Sequence, residues 1–328
     1  MMQPANDISV IICTYTENRW TDLVAAIESV RHQELAPREI IVVVDHNTEL
    51  LTRIQAQIPG VLVVANERKR GLSEARNKGI EVAEGPIIAF LDDDAIADAH
   101  WLQALSEAFL DPWVLGAGGS VLPHWVEKRP SWLPEEFYWV VGCTYRGLPQ
   151  SLAIIRNPIG ANMAFRREVF EQVGGFRNQV GRVGTRPIGC EETELCIRVH
   201  QHWPQHVFLY KPEATVLHRV PPDRCTWHYF QMRCYAEGLS KAVVVGLVGS
   251  QESLSSERAY TLQTLPEGIL RGIGSVLKHG DWMGLARSWA IMAGLVITGT
   301  GYCIGCVFSR PGVPQDQTIT WEKAIPLS

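Results

Sequence analysis

Four short apolar runs rich in β-branched residues punctuate the N-terminal third of the chain. Each is followed by a polar cluster. They are residues 8–15 (ISVIICTY), 39–45 (EIIVVVD), 61–65 (VLVVA) and 86–91 (PIIAFL). Runs this short, without polar alternation, read as strands buried on both faces. Between the first two, Leu23, Ile27 and Val30 recur on one helical face behind Asn18, a residue suited to capping. Helices are also predicted over 71–83 and 98–110. Strand and helix thus alternate about four times, which implies a parallel sheet with helices on both faces. Ligands of such sheets sit beyond the carboxyl ends of the strands. Polar residues fall at those ends: Thr14, Tyr15 and Glu17, then Asp45, then residues 66–70, and finally Asp92, Asp93 and Asp94.

Beyond residue 114 the pattern loosens. Residues 123–150, rich in Pro, Trp and Tyr, read as an irregular segment. Residues 160–176 predict a strand, a short helix and a Gly-Gly stop. Helices are predicted from 191, over 226–246 and over 265–280. The last places Ile269, Leu270, Ile273, Val276 and Leu277 on one side, with Arg271 and Lys278 elsewhere. That basic amphipathic pattern suits a membrane surface, or equally a core-packed helix. Residues 288–309 carry no charge and are long enough to cross a bilayer, and Gly301 and Gly305 have GxxxG spacing. A buried core helix is the other reading. The expected division is a catalytic domain over 1–225 and a helical extension over 226–328. Arg271, Lys278 and Arg287 precede the apolar run, whereas Arg310 and Lys323 follow it. This excess favours a catalytic domain on the cytoplasmic face of a membrane.

With 328 residues and 46% hydrophobic content, the chain can bury a sizeable core. Its net charge of −5 excludes the basic field of a nucleic-acid binder. The eight cysteines are scattered, which suggests reduced thiols rather than a disulfide scaffold. Cys303 and Cys306 have metal spacing but lie in an apolar run without a second pair. The apolar stretch near residue 8 follows Asp7 and reads as a strand, not a signal peptide.

Three adjacent acids at a strand end need solvent or a cation. Oxygen ligands suit Mg²⁺ or Mn²⁺, which also bind substrate phosphates. A solvated, helix-capping turn is the plain alternative for Asp92, Asp93 and Asp94. Asp45 can accept hydrogen bonds from a nucleoside. The turn after the first strand, CTYTENRW, lacks the glycines of a dinucleotide clamp, which disfavours an NAD-dependent dehydrogenase. Arg76, in GLSEARNKG, can pair with phosphate, or else sits at the surface with Glu74 or Glu81. Glu191 and Glu192 open a helix, where one could serve as general base. The helix N-terminus would hold its pKa down. Ordinary acidic enrichment of a first turn is the alternative. His218 ends an apolar run and can complete a metal shell or remain structural. His200 and His202 read as surface residues.

In this order and spacing, the segments SVIICTYTENRW, EIIVVVDHN, GLSEARNKG, IIAFLDDDA, GANMAFRREVF…VGGF and EETELCIR resemble the family 2 glycosyltransferases over residues 7–220. The resemblance implies an α/β GT-A fold: a Rossmann-like, mostly parallel central sheet flanked by helices, here with a C-terminal, membrane-associated helical extension. It implies an inverting transfer from a nucleotide-diphosphate sugar, a UDP-sugar favoured, to a hydroxyl of a glycan or polyprenyl-linked acceptor. It also implies roles for individual residues. Asp45 contacts the base, and Asp93 and Asp92 lie in the donor site with Thr14, Tyr15 and Glu17. Asp94 is the principal metal ligand, with Asp92 and His218. Arg76 is near the nucleotide, Asn162 borders the donor sugar or acceptor, and Glu192 is the base with Glu191 beside it. This chain has Glu where Asp is usual. Residues 231–235 do not fit the Q-x-x-R-W motif of processive members, so a single transfer is expected. The 214–262 stretch resembles a prokaryotic subgroup of glucosyl-dolichyl-phosphate glucuronosyltransferase-like enzymes. A catalytically inactive nucleotide-sugar-binding scaffold, or a nucleotidyltransferase on a similar core, are the other readings.

Overall fold

The computed structural model describes residues 7–182, 189–249 and 258–308. The four apolar runs form β1 (Ile8–Thr14), β2 (Glu39–Asp45), β3 (Leu62–Asn66) and β4 (Ile87–Asp92), all mutually parallel. Helices α1 (Trp20–Arg31), α2 (Thr48–Gln57) and α3 (Leu72–Val82) connect them. Leu23, Ile27 and Val30 are fully buried, as their helical spacing requires. Asn18 does not cap α1. It lies inside a 3-10 turn, Glu17–Arg19, and its backbone N–H donates to Thr16 Oγ1 at 3.3 Å.

After β4 come β5 (Ala95–Ala97), α4 (Trp101–Ala108) and the long β6 (Val114–Trp125). A 3-10 segment, Glu135–Val141, is followed by β7 (Ala153–Ile155), β8 (Asn162–Arg166), α5 (Arg167–Val173), α6 (Glu191–His202) and β9 (Val207–Val220). The sheet order is β3-β2-β1-β4-β8-β6-β9-β5, with β7 also paired to β9. Strand β8 runs antiparallel between β4 and β6 and joins the parallel half to a mixed half. The segment expected to be irregular over 123–150 therefore begins inside β6 and contains the 3-10 helix.

The chain ends, as described, in α7 (Trp227–Val248), α8 (Leu265–His279) and α9 (Met283–Phe308). Phe137 and Val140 of the 3-10 segment, Phe230 of α7, and Ala290 and Ile291 of α9 form one apolar cluster. The C-terminal helices thus pack on the aromatic segment. Helix α9 meets α7 through small residues: a Cβ on Gly301 would lie 2.2 Å from Tyr235 O, and one on Gly305 would lie 2.6 Å from Ala242 Cβ. The GxxxG spacing therefore serves contact within the chain.

Helix α8 has two readings, a membrane-surface helix or a core-packed one, and the structure does not bury its leucine face. Its buried positions are Leu265, Gly268 and Gly272, while Leu270 and Leu277 are 68% and 81% exposed. From Met283 to Val307, α9 is long and apolar enough to cross a membrane, its most apolar 18-residue stretch having a mean hydropathy of 1.8. Arg310 and Lys323 lie outside the described residues.

Candidate active site

The crevice is assembled by strand register. Strand β4 ends at Asp92, paired with Cys13 of β1, so the acids emerge beside the end of β1. The chain then turns into β5, which pairs antiparallel with β9 so that Ala95 faces His218. That register brings His218 Nε2 to 3.1 Å from Asp94 Oδ1. Ligand atoms of Asp92, Asp94 and His218 lie within 4.8 Å of one another. Two carboxylates and one imidazole at such spacing can hold a divalent ion, and the mixed oxygen and nitrogen set suits Mn²⁺ as well as Mg²⁺. Thr14 and Asp93 are both buried here, and the Thr14 hydroxyl beside the Asp93 carboxylate favours its charged form.

Two arginines that sequence reasoning assigned no role complete the cluster. Arg19, from the 3-10 turn after β1, reaches Asp93 at 2.7 Å and Asp94 at 3.3 Å. Arg224, from the 3-10 turn Pro222–Cys225 after β9, reaches Asp94 at 3.2 Å. Both follow a strand's carboxyl end, which was the one available signal. Burial works against charge on Asp94. His218, Arg19 and Arg224 outweigh it and hold that carboxyl far below the usual range. Burial likewise opposes protonation of His218, but Asp94 wins and raises the imidazole to about 10. Asp93 is raised to about 6 by burial, which Arg19 only partly offsets. On its other side, His218 Nδ1 lies 3.7 Å from Cys143 Sγ.

Arg76 joins this cluster to the glutamates of α6. It is buried rather than superficial, with Nη2 3.5 Å from Asp92 and Nη1 2.8 Å from Glu191. Arg68, not Arg76, takes Glu74 and Glu81. Glu194 is fully buried and paired with Arg198 at 2.7 Å. Glu192, half-buried between these two committed carboxylates, forms no ion pair among the described residues. Burial, and then Glu191 beside it, push the Glu192 carboxyl up to about 8. This corrects the expectation of a depressed pKa: desolvation and a like charge exceed the pull of the helix N-terminus.

The remaining expected residues have the following partners. Asp45 uses both oxygens on the end of β3 and the loop that follows, accepting from Asn66 Nδ2 at 2.7 Å and Gly71 N at 3.0 Å. Glu17 turns to Arg53 of α2, 3.6 Å away, while Tyr15 lies under Arg19. Asn162 borders no open site. The register shift between Gly119 and Val121 displaces two carbonyls from the β6–β9 ladder, and the buried Asn162 amide donates to both: Ser120 O at 3.1 Å and Ala214 O at 2.7 Å. Its Oδ1 accepts from Trp101 Nε1. Asn162 is a core residue that satisfies a bulge. His200 and His202 are exposed, as expected.

A family model described as Glycosyl transferase family 2 matches residues 9–174. The glucosyl-dolichyl phosphate glucuronosyltransferase of Haloferax volcanii is 32% identical over 302 residues, covering 91% of this chain and 96% of that protein. The succinoglycan biosynthesis protein ExoM of Rhizobium meliloti is 23% identical over 238 residues, covering 70% and 72%. The mannosyltransferase PcManGT of Pyrobaculum calidifontis, solved in complex with GDP-Man and Mn²⁺, superposes with a TM-score of 0.55. That match covers 90% of this chain and 89% of the other, at 18% identity.

Proposed function

The chain belongs to glycosyl transferase family 2 and is a glycosyltransferase of GT-A fold, and we propose that it transfers a sugar, with inversion, from a UDP-sugar to a hydroxyl of a lipid-linked acceptor. The observation that carries this reading is Arg76, which ties Asp92 to Glu191 and so sets the acid cluster and the α6 glutamates in one crevice. The similarity to a glucuronosyltransferase acting on a dolichyl-phosphate-linked sugar supports a hexuronic acid donor and an isoprenoid-linked acceptor.

A divalent cation held by Asp92, Asp94 and His218 would supply positive charge against the donor diphosphate. Arg19 and Arg224 add fixed positive charge at the same place. Arg76 neutralises Glu191 and leaves Glu192 as the carboxylate for chemistry. Glu192 takes the proton of the acceptor hydroxyl. The oxygen forms its bond to the anomeric carbon from the face opposite the diphosphate, the bond from that carbon to the phosphate oxygen breaks, and the nucleoside diphosphate leaves with its electron pair. A Glu in place of the usual Asp extends the base by one methylene.

The helical extension we assign to membrane attachment on the cytoplasmic face. Besides Leu270 and Leu277, Trp282 and Val296 present exposed apolar surface. Helix α9 lies along α7, which carries Arg233, Glu237 and Lys241. A perpendicular span would bring those charges into the bilayer, so α9 is better placed lying at the interface.

The test is a donor screen. The protein, supplied with polyprenyl-phosphate-linked glucose, is incubated with UDP-glucuronate, UDP-glucose, GDP-mannose or dTDP-glucose under Mn²⁺, Mg²⁺ or EDTA, and nucleotide release is followed. EDTA-sensitive release with one UDP-sugar is expected. Release that ignores EDTA, or occurs with no donor, would overturn the reading.

A further inference from the structure

A cavity of about 450 Å³ lies between the 3-10 segment Glu135–Val141 and the α8–α9 pair. Arg129, Arg146, Arg271 and Arg287 line it with Glu135 and Glu136. Four arginines less two glutamates leave a formal excess of +2, or +1 when Asp281, which pairs with Arg287 at the edge, is included. In a chain of net charge −5 this is a local reversal of sign. The carboxylates hold the guanidiniums in place. Glu135 takes Arg129 at 3.5 Å and also Arg146, and buried Glu136 takes Arg271 at 2.6 Å. Arg146 and Arg271 nevertheless keep 41% and 46% of their side chains exposed. Gly268 makes the arrangement possible, because a Cβ there would lie 2.7 Å from Glu136 Oε1. Guanidinium forks of this kind match phosphate oxygens.

Arg146 is three residues from Cys143, whose thiol touches His218, and three residues span at most about 11 Å between Cα atoms. Two walls of the cavity, α8 and α9, bear the exposed apolar residues of the extension, and Ile291 of α9 lines the cavity itself. An anion site walled by helices that bear apolar surface fits a molecule that joins a phosphate to a long hydrocarbon.

We propose that this cavity binds the phosphate of the lipid-linked acceptor, with its isoprenoid chain along α8 and α9. The assignment rests on the lipid-linked acceptor proposed above. It is tested by calorimetric binding of farnesyl phosphate, farnesol and inorganic phosphate to the full chain in detergent, for wild type, Arg271→Gln and Arg271→Lys.

Wild type should bind farnesyl phosphate about tenfold more tightly than farnesol, the effect of one charged hydrogen bond. Arg271→Gln should lose that preference, and Arg271→Lys, which keeps the charge but not the fork, should keep part of it. UDP binding should be the same in all three and report the fold. Equal binding of farnesyl phosphate and farnesol by wild type overturns the proposal, as does a preference intact in both variants. Inorganic phosphate binding as tightly as farnesyl phosphate would make this a free-anion site and overturn the lipid assignment. Because binding needs no turnover, the two readings separate. Discrimination by Arg271 without transfer to any glycosyl phosphate lipid leaves the phosphate-lipid site standing and removes the acceptor reading. Transfer without discrimination does the reverse.

Discussion

Replacing Glu192 with Gln preserves shape and hydrogen-bonding capacity while removing the group proposed to take the acceptor's proton. Loss of a positioned general base costs about 10²–10⁴ in rate. The environment of Glu192 adds a signature that a structural residue would not show. Burial and the Glu191 charge raise its carboxyl to about 8. The protonated form therefore dominates at neutral pH, with about a tenth ionised at pH 7 and about half at pH 8. Because the base works only when ionised, kcat/KM should rise with pH, about fivefold from pH 7 to 8, and level off above. A cation bound in the nearby acid cluster would move this limb to lower pH without changing its direction. The assay is initial-rate transfer at subsaturating acceptor from pH 5.5 to 9.5, with UDP binding measured in parallel. Glu192→Gln should lose at least a hundredfold, retain UDP binding and flatten the profile, a hundredfold being the lower end of the usual contribution of such a base. Glu192→Asp should lie between the two. Activity of Glu192→Gln within a few-fold of wild type, or an unchanged limb in that variant, would refute the assignment of the base.

Other outcomes follow from the same contacts. Arg76→Leu strands the buried Glu191 carboxylate and should lower stability by about 3–5 kcal/mol in denaturant unfolding, whereas Arg76→Leu combined with Glu191→Leu should recover much of the loss. With His218 raised to about 10, the imidazole is protonated at pH 7 in the metal-free protein. Mn²⁺ uptake should therefore release about one proton, measurable by calorimetry in buffers of different ionisation enthalpy, and Asp94→Asn should abolish tight uptake. Gly301→Leu places a side chain against Tyr235 O, so the α7–α9 contact must open. A loss of about 1–3 kcal/mol in thermal unfolding is expected, and unchanged stability would contradict the packing described. Leu277→Glu with Trp282→Glu should reduce co-sedimentation with anionic vesicles without altering UDP binding.

The parallel half of the sheet and the end at which ligands bind were legible in local pattern. Strands buried on both faces must be continuous apolar runs, and a doubly covered parallel sheet places its polar residues at the carboxyl ends, so Asp92–Asp94 and Asp45 could be located from local pattern alone. The set of segments also carried the family, which the comparisons show.

The remaining features depend on partners remote in the chain. Arg76 and Glu191 are 115 positions apart, and nothing local tells which of two adjacent glutamates that arginine takes. The β5–β9 register sets His218 against Asp94, and a bulge between β6 and β9 claims Asn162 for the core. The raised Glu192 pKa comes from burial, a property of the packed site rather than of a helix's first turn. In α8 Gly268 and Gly272 face inward and Leu270 and Leu277 outward, because close approach to Glu136 and Gly284 leaves no room for a side chain at the two glycines. Periodicity finds a helix face, but which face is covered depends on what packs against it.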